Sequence, residues 1–161
     1  MLLALSSYTA NAALFNFSFS NEDGQLNGFV QGTIELADGD GTFGATSVFI
    51  TSAPSGLSYD PTGFNWVTGE GADNTFTVVG GEITTAQTDF FGLFNDNTGL
   101  ELSYSRSFLD ILDAGDYGET GVKDADSSTL TFSRASVPET ASMFSLLALS
   151  LGMLFIIRLK K

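Results

Sequence analysis

Cysteine and histidine are both absent from this chain of 161 residues. Without cysteine there are no disulfides, thiolate nucleophiles or cysteine-based zinc sites. Without histidine there are no imidazole metal ligands and no Ser-His-Asp triads, and the usual acid/base group at neutral pH is missing. These two absences exclude most familiar enzyme mechanisms, so we predict a non-catalytic protein.

One enzymatic alternative survives, because acidic residues are plentiful. A glycoside hydrolase needs two carboxyl groups about 5–10 Å apart across a cleft. With eighteen acidic residues between positions 13 and 136, some pair will meet that distance in almost any fold. Sequence spacing therefore identifies no particular pair.

Positive charge is scarce: six basic residues accompany nineteen acidic ones, and none precedes Arg106. Residues 13–136 hold eighteen of the acids and three of the bases, which gives this stretch a net charge of −15. Such a surface repels phosphate backbones, so we predict no nucleic-acid binding. Thirteen of the fifteen phenylalanines lie in this stretch and indicate a folded acidic domain, since disordered chains lack aromatic residues.

Helical periodicity is also missing from the body of the chain. Phe15, Phe17 and Phe19 alternate with small polar residues, the period of a half-buried strand. The pattern recurs at 30–36, 46–50, 64–66 and 76–78, with Gly, Asn, Asp and Pro turns between the runs. We predict an all-β domain at 13–136, an antiparallel β-sandwich with a closed β-barrel as the alternative.

Two turns and two further segments complete this prediction. Gly80 and Gly81 suit a tight hairpin, and residues 95–99 suit a second turn. Residues 108–114 fit either a strand or a short helix, because short apolar runs do not distinguish them. Residues 129–132 are predicted to form the last strand.

The only long hydrophobic run lies near the end of the chain. Residues 141–157 carry no charge and are apolar on every helical face, and they would span about 25 Å as a helix. We predict a single transmembrane helix there, followed by the basic residues Arg158, Lys160 and Lys161. Positive charge favours the cytoplasmic side, so the β domain would lie across the inner membrane.

The first twelve residues suggest export. Residues 2–5 are apolar, and Ala10 and Ala12 fit the small-x-small pattern that precedes signal-peptidase cleavage. We predict a signal peptide at 1–12, cut after Ala12. Because no basic residue precedes the apolar patch, we expect the true start to lie upstream. The alternative is that these residues form a first strand.

Val137, Pro138 and Glu139, the apolar run and the basic end together resemble the PEP-CTERM sorting signal of exported Gram-negative proteins. The body also resembles small PEP-CTERM proteins at 14–19 (LFNFSF), 28–34 (GFVQGTI), 44–50 (GATSVFI) and 54–57 (PSGL). The resemblance implies that an exosortase, a membrane-embedded cysteine transpeptidase, cuts near Pro138 and Glu139. The domain would then reach the cell surface or the extracellular matrix.

This sequence departs from the family at Thr140, which stands where a second proline is usual. Val137, Pro138, Glu139 and Thr140, followed by Ala141, therefore also resemble a degenerate LPxTG signal of Gram-positive sortase substrates. Valine replaces the leucine, alanine replaces the glycine, and no long wall-spanning linker precedes the motif. We favour the exosortase signal.

Two groups of residues could bind a ligand, but each also fits an ordinary structural role. Asp38 and Asp40 lie in one glycine-rich loop and could bind Ca²⁺, with Asp124 and Asp126 as a second pair, although Asp-Gly is a common turn. Otherwise we predict no cofactor. Trp66, with Tyr59 and Phe64, could stack on sugar rings, but two aromatic residues with one residue between them on a strand more often fill a core.

The sequence thus predicts an acidic β-sandwich that is exported, processed and displayed, with a possible role in the biofilm or envelope. A secreted domain that binds or hydrolyses extracellular polysaccharide is the alternative.

Overall fold

A computed structural model describes residues 11–69, 73–95, 98–111 and 120–136. These residues form β-strands and short turns. The strands are β1 (Ala12–Ser20), β2 (Phe29–Ala37), β3 (Gly41–Phe43), β4 (Ser47–Ser52), β5 (Asn74–Val79), β6 (Glu82–Ile83), β7 (Asp89–Asn95), β8 (Thr98–Ser103), β9 (Ser107–Ile111), β10 (Val122–Asp124) and β11 (Thr131–Arg134). Two 3-10 turns, Trp66–Thr68 and Thr85–Gln87, are the helical pieces of the described ranges.

The strands form two antiparallel sheets. The smaller sheet has the order β11-β1-β2-β4, and the larger has the order β10-β9-β8-β7-β5-β3, with β6 paired to β5. The all-β prediction is confirmed, and two separate sheets around a shared core agree with a sandwich. The closed-barrel alternative is wrong for the described strands, because β11 and β4 remain the edges of their own sheet.

The core is built from the inward positions predicted by the alternation of apolar and polar residues. Phe15, Phe17 and Phe19 of β1 are each at most 2 % exposed and face the apolar side chains of the larger sheet. The core residues of the larger sheet and its hairpin are Phe76, Val78, Ile83, Phe90, Leu100, Leu102, Leu109 and Val122. Burial of so much apolar area is the main stabilising term for a domain without disulfides.

The predicted strands that correspond to β1, β2, β4 and β5 are confirmed apart from their exact ends. The hairpin at Gly80 and Gly81 is confirmed too. Residues 108–111 belong to β9 and are therefore a strand, while 112–114 lie outside the described residues. The last strand begins at Thr131, because Thr129 instead closes a loop onto Asp124, with Oγ1 to Oδ2 at 2.6 Å.

The predicted strand through Phe64 and Trp66 is wrong. Asn65 caps a 3-10 turn there, since its side-chain oxygen accepts a hydrogen bond from the Val67 amide at 3.2 Å. The same oxygen accepts a bond from the Val48 amide at 3.0 Å, so Asn65 also binds the edge of β4. A single polar side chain, that of Asn65, thus stabilises a turn where the alternation of residues predicts a strand.

Candidate functional site

The predicted sorting motif, Val137, Pro138, Glu139 and Thr140, lies outside the described residues. So do the apolar run 141–157, the basic residues Arg158, Lys160 and Lys161, and Ala10 of the cleavage pattern. Ala12 is the first residue of β1 and pairs with Ala37, and Ala13 is the first buried residue. Within the described ranges, no helix has the length and hydrophobicity to cross a membrane.

The two described ends of the chain lie side by side. β1 and β11 are antiparallel neighbours, and Phe15 near the start of the chain pairs with Arg134 at the end of β11. The Ala135 amide then donates a hydrogen bond of 2.8 Å to the Leu14 carbonyl. The domain is therefore ordered by strand pairing to within two residues of Val137.

Asp38 and Asp40, the predicted calcium residues, have separate partners. Asp38 forms an ion pair with Arg134. The Asp40 carboxylate accepts hydrogen bonds from the amides of Gly80 and Gly81, each at 2.9 Å. These two bonds, with that from Gly80 the larger effect, hold the pKa of Asp40 below its usual value. Both carboxylates thus have structural contacts of their own.

The second acidic pair lies in the loop that follows β10. Asp124 is fully buried and accepts bonds from the Thr129 amide at 2.7 Å and from the Thr129 hydroxyl. Asp126 is exposed, and hydrogen bonds from Ser128 lower its pKa. In the described ranges, no group of three or more acidic side chains is placed to hold a metal ion.

The predicted sugar-stacking residues do come together, but inside the protein. Trp66 is fully buried and meets the edge of Phe64 at 5.4 Å between ring centroids. Phe94 joins them, 4.8 Å from Phe64 and stacked on Tyr59 at 6.2 Å. Trp66 offers no face to solvent, so this cluster is a packing element, as the core interpretation predicted.

A cavity of about 170 Å³ adjoins this cluster, lined in part by Leu26, Leu57, Tyr59 and Asp110. The Tyr59 hydroxyl is buried and has no hydrogen-bond partner within the described part of the chain. Burial, followed by the negative charge of Asp110, raises the pKa of Tyr59 well above its usual value. Asp110 itself is buried and accepts bonds from the Thr120 amide at 2.8 Å and hydroxyl at 2.6 Å.

The third buried acid, Glu101, forms an ion pair across the β8–β9 hairpin. The Arg106 guanidinium donates to one Glu101 oxygen at 2.6 and 3.0 Å and lies 5.2 Å from the centre of the Phe108 ring. Ser103 donates to the other Glu101 oxygen at 3.0 Å. Each buried carboxylate that the structure describes is therefore held by neighbouring donors that fix a hairpin or loop.

A groove of about 280 Å³ crosses the outer face of the four-stranded sheet. Six of its eight lining residues have neutral polar side chains and together occupy all four strands: Asn16, Ser18, Gln31, Thr51, Thr131 and Ser133. The other two are Phe17, whose ring is buried, and Gly32, which has no side chain. A β-bulge between Gln31 and Gly32 interrupts the β2–β4 pairing at this place. Bulges bend a strand and redirect its side chains.

The sequence interpretation did not identify this groove, although part of the signal was present. The outward positions of β1 and β2 include Asn16, Ser18, Gln31 and Thr33, which are uncharged in a strongly acidic chain. The contribution of Thr131 and Ser133 depends on the pairing of β11 with β1, which local sequence does not specify.

The chain matches no protein-family model, and neither curated proteins nor solved structures yielded a match.

Proposed function

We propose that this chain is a non-catalytic surface or matrix protein of a Gram-negative bacterium. In this proposal the acidic β domain is exported and held at the inner membrane by residues 141–157. An exosortase-type transpeptidase then processes the tail at Val137, Pro138, Glu139 and Thr140. The domain is finally displayed at the cell surface or released into the extracellular matrix.

The observation that carries the proposal is the small number of residues that separate the last strand from the sorting motif along the chain. β11 ends at Arg134, and the bond from the Ala135 amide to the Leu14 carbonyl is the last backbone hydrogen bond along the described part of the chain. Cleavage at the motif would therefore leave every described strand intact. This arrangement suits a substrate whose tail is removed while the domain is kept.

The contacts of the acidic residues support a structural role over catalysis. Glu101, Asp110 and Asp124 are each buried and engaged by donors within their own hairpin or loop. A glycoside hydrolase needs one acid free to donate a proton and a second free to act as base or nucleophile. These three acids instead complete the fold.

Substitution of the motif tests the proposal. Pro138→Ala and Glu139→Ala should each leave the protein in the membrane fraction of a host that contains an exosortase, while the wild type reaches the surface or medium. Thr140→Pro is the matched control, because it restores the usual family residue and should be processed normally. Equal surface display of all four proteins would contradict the assignment of the motif.

A further inference from the structure

The groove on the four-stranded sheet runs from one edge strand to the other. Thr131 and Ser133 line it on β11, and Thr51 lines it on β4. Three strand spacings separate β11 from β4, or about 14 Å. At the β11 end the groove reaches the edge of the sheet, so it can admit a chain that continues beyond the domain there. At the other end, Asn65 and Thr62 form bridges to Phe49 and Ile50 of β4.

The groups in this groove are amides and hydroxyls with capacity for further hydrogen bonds. Among the described residues, the side chains of Asn16, Gln31 and Ser133 have no hydrogen-bond partner, and all three residues are exposed. Each amide offers two donors and an acceptor oxygen, a set that can pair with adjacent hydroxyl groups. Thr51 and Thr131 donate to the backbone carbonyls of Gln31 and Ser18, at 3.3 Å each.

The absence of charge in the groove limits the choice of ligand. None of its lining residues is ionisable, although residues 13–136 carry a net charge of −15. The field of the domain repels anionic polymers, and the groove offers no carboxylate to retain a cation. Glu35, further along the outer face of β2, accepts a hydrogen bond from Ser47 at 3.2 Å.

Aromatic side chains occupy the same outer face. Phe29 stands two residues before Gln31 on β2 and is 64 % exposed. Phe49 on β4 is half-buried and pairs with Thr33 on β2. Thr33 in turn pairs with Asn16 on β1. Neither Phe29 nor Phe49 lines the groove itself. An aromatic side chain on the same sheet face as hydroxyl and amide groups suits a ligand that is apolar on one side and polar at its rim, as a sugar ring is.

We propose that this groove binds a neutral polysaccharide chain. The inference goes beyond the proposed sorting and does not depend on it. A protein partner fits less well, because protein-interface cores are rich in buried aromatic and arginine anchors, whereas six of the eight residues that line this groove are neutral and polar and none is arginine.

The test uses the full-length chain in micelles of a zwitterionic detergent that contains no sugar. Binding by biolayer interferometry is measured against dextran, hydroxyethyl cellulose and galactomannan as neutral polysaccharides, and against alginate and dextran sulfate as anionic ones. We expect binding to at least one neutral polymer. The double variant N16A/Q31A should bind it roughly tenfold more weakly, since hydrogen bonds of ordinary strength are lost.

Matched controls come from other surfaces of the domain. Gln87→Ala removes an exposed glutamine from the 3-10 turn before β7, and Tyr104→Ala removes an aromatic residue that is 61 % exposed. Both should bind as the wild type does, whereas Phe29→Ala should weaken binding. Far-ultraviolet circular dichroism checks that every variant retains its fold.

Several outcomes would overturn the proposal. They are the absence of binding to all three neutral polymers, binding to the anionic polymers alone, and equal weakening by groove and control substitutions. Each leaves the sorting proposal intact, because that proposal is tested by the location of the protein and not by a ligand.

Discussion

Asp40 joins two turns that are forty positions apart in the sequence. Its carboxylate binds the amides of Gly80 and Gly81, whose φ angles of 62° and 83° are costly for any residue other than glycine. The tight hairpin between β5 and β6 is thus fixed by its own glycines and by an acid from the β2–β3 loop. Asp40, which the sequence suggests as a calcium ligand, thus caps the β5–β6 hairpin by accepting hydrogen bonds from its two turn amides.

Asp40→Asn should destabilise the domain in a pH-dependent way. The Asp40 pKa is lowered in the folded state, so the carboxylate stabilises the fold above its usual pKa of about 3.9. That contribution is lost as the pH falls through the lower folded pKa. Urea unfolding of wild type and variant should therefore differ at pH 6 and converge in strong acid.

Glu82→Gln is the control for this prediction, because it removes an exposed negative charge from the same hairpin without removing the cap. It should leave the free energy of unfolding nearly unchanged at pH 6. A difference between wild type and Asp40→Asn that stayed constant down to pH 2 would show that the carboxylate charge has no role in the cap.

Gly32 permits close contact between β1, β2 and β4. A Cβ atom at this position would lie 2.3 Å from the Phe17 ring and 2.3 Å from the Phe49 carbonyl oxygen. Gly32→Ala should lower the free energy of unfolding by about 1–3 kcal/mol, because Phe17 must leave its place in the core. Chemical denaturation followed by Trp66 fluorescence measures this effect.

Thr33→Ala provides the comparison at the adjacent position, whose side chain is on the outer face of β2. We expect it to change the free energy of unfolding by no more than about 0.5 kcal/mol. If Gly32→Ala were as mild as Thr33→Ala, the close packing of Phe17 under β2 would be wrong.

At the scale of elements, the strands that alternate cleanly could be predicted from sequence. In β1 and β2 every second residue faces the core, so these inward positions hold apolar side chains. The exception is Gly32, which has no side chain. Strands β3 and β10 are only three residues long, too short for alternation to be read. The turn at Trp66 depends on the hydrogen bond between Asn65 and Val48, which no local pattern contains.

The groove could be predicted only in part for a related reason. Its β1 and β2 residues are visible as uncharged outward positions, but the strand order brings β11 beside them. Thr131 donates to the Ser18 carbonyl across 113 positions of sequence. The pairing of strands that lie so far apart in the sequence is specified by the whole core and not by either segment alone.

β11 is expected to be indispensable to the domain. A chain that ends at Ser128 would lose β11 together with Leu130, which is 5 % exposed, and Phe132, whose ring meets Phe76. The lost burial of Leu130 and Phe132 alone should cost about 3 kcal/mol. It would also expose the edge of β1. Thermal unfolding followed by circular dichroism should show a loss of cooperativity, aggregation or a much lower midpoint.

A chain that ends at Val137 is the matched comparison and should unfold cooperatively, near the midpoint of the full-length protein. The two truncations bracket β11. If the chain that ends at Val137 were destabilised as strongly as the chain that ends at Ser128, the domain would extend into the tail and the boundary at Arg134 would be misplaced.

At the scale of the whole molecule, the first and last strands are neighbours. β1 and β11 pair along residues 15–18 and 131–134, so the smaller sheet is complete only when the last strand has been added. The proposed signal peptide and sorting tail would therefore leave the domain at one end, beside Ala12 and Ala135. The polar groove crosses the outer face of the same sheet, which any display must leave accessible.

The mass of the mature protein tests the central claim, that the domain is kept while its tail is removed. The protein is purified from the surface or matrix of the bacterium that makes it, and intact mass and terminal peptides are determined by mass spectrometry. We predict a C-terminus within residues 137–140, after the complete β11. Recovery of protein that ends at Lys161 would contradict processing and leave the tail as a permanent membrane anchor.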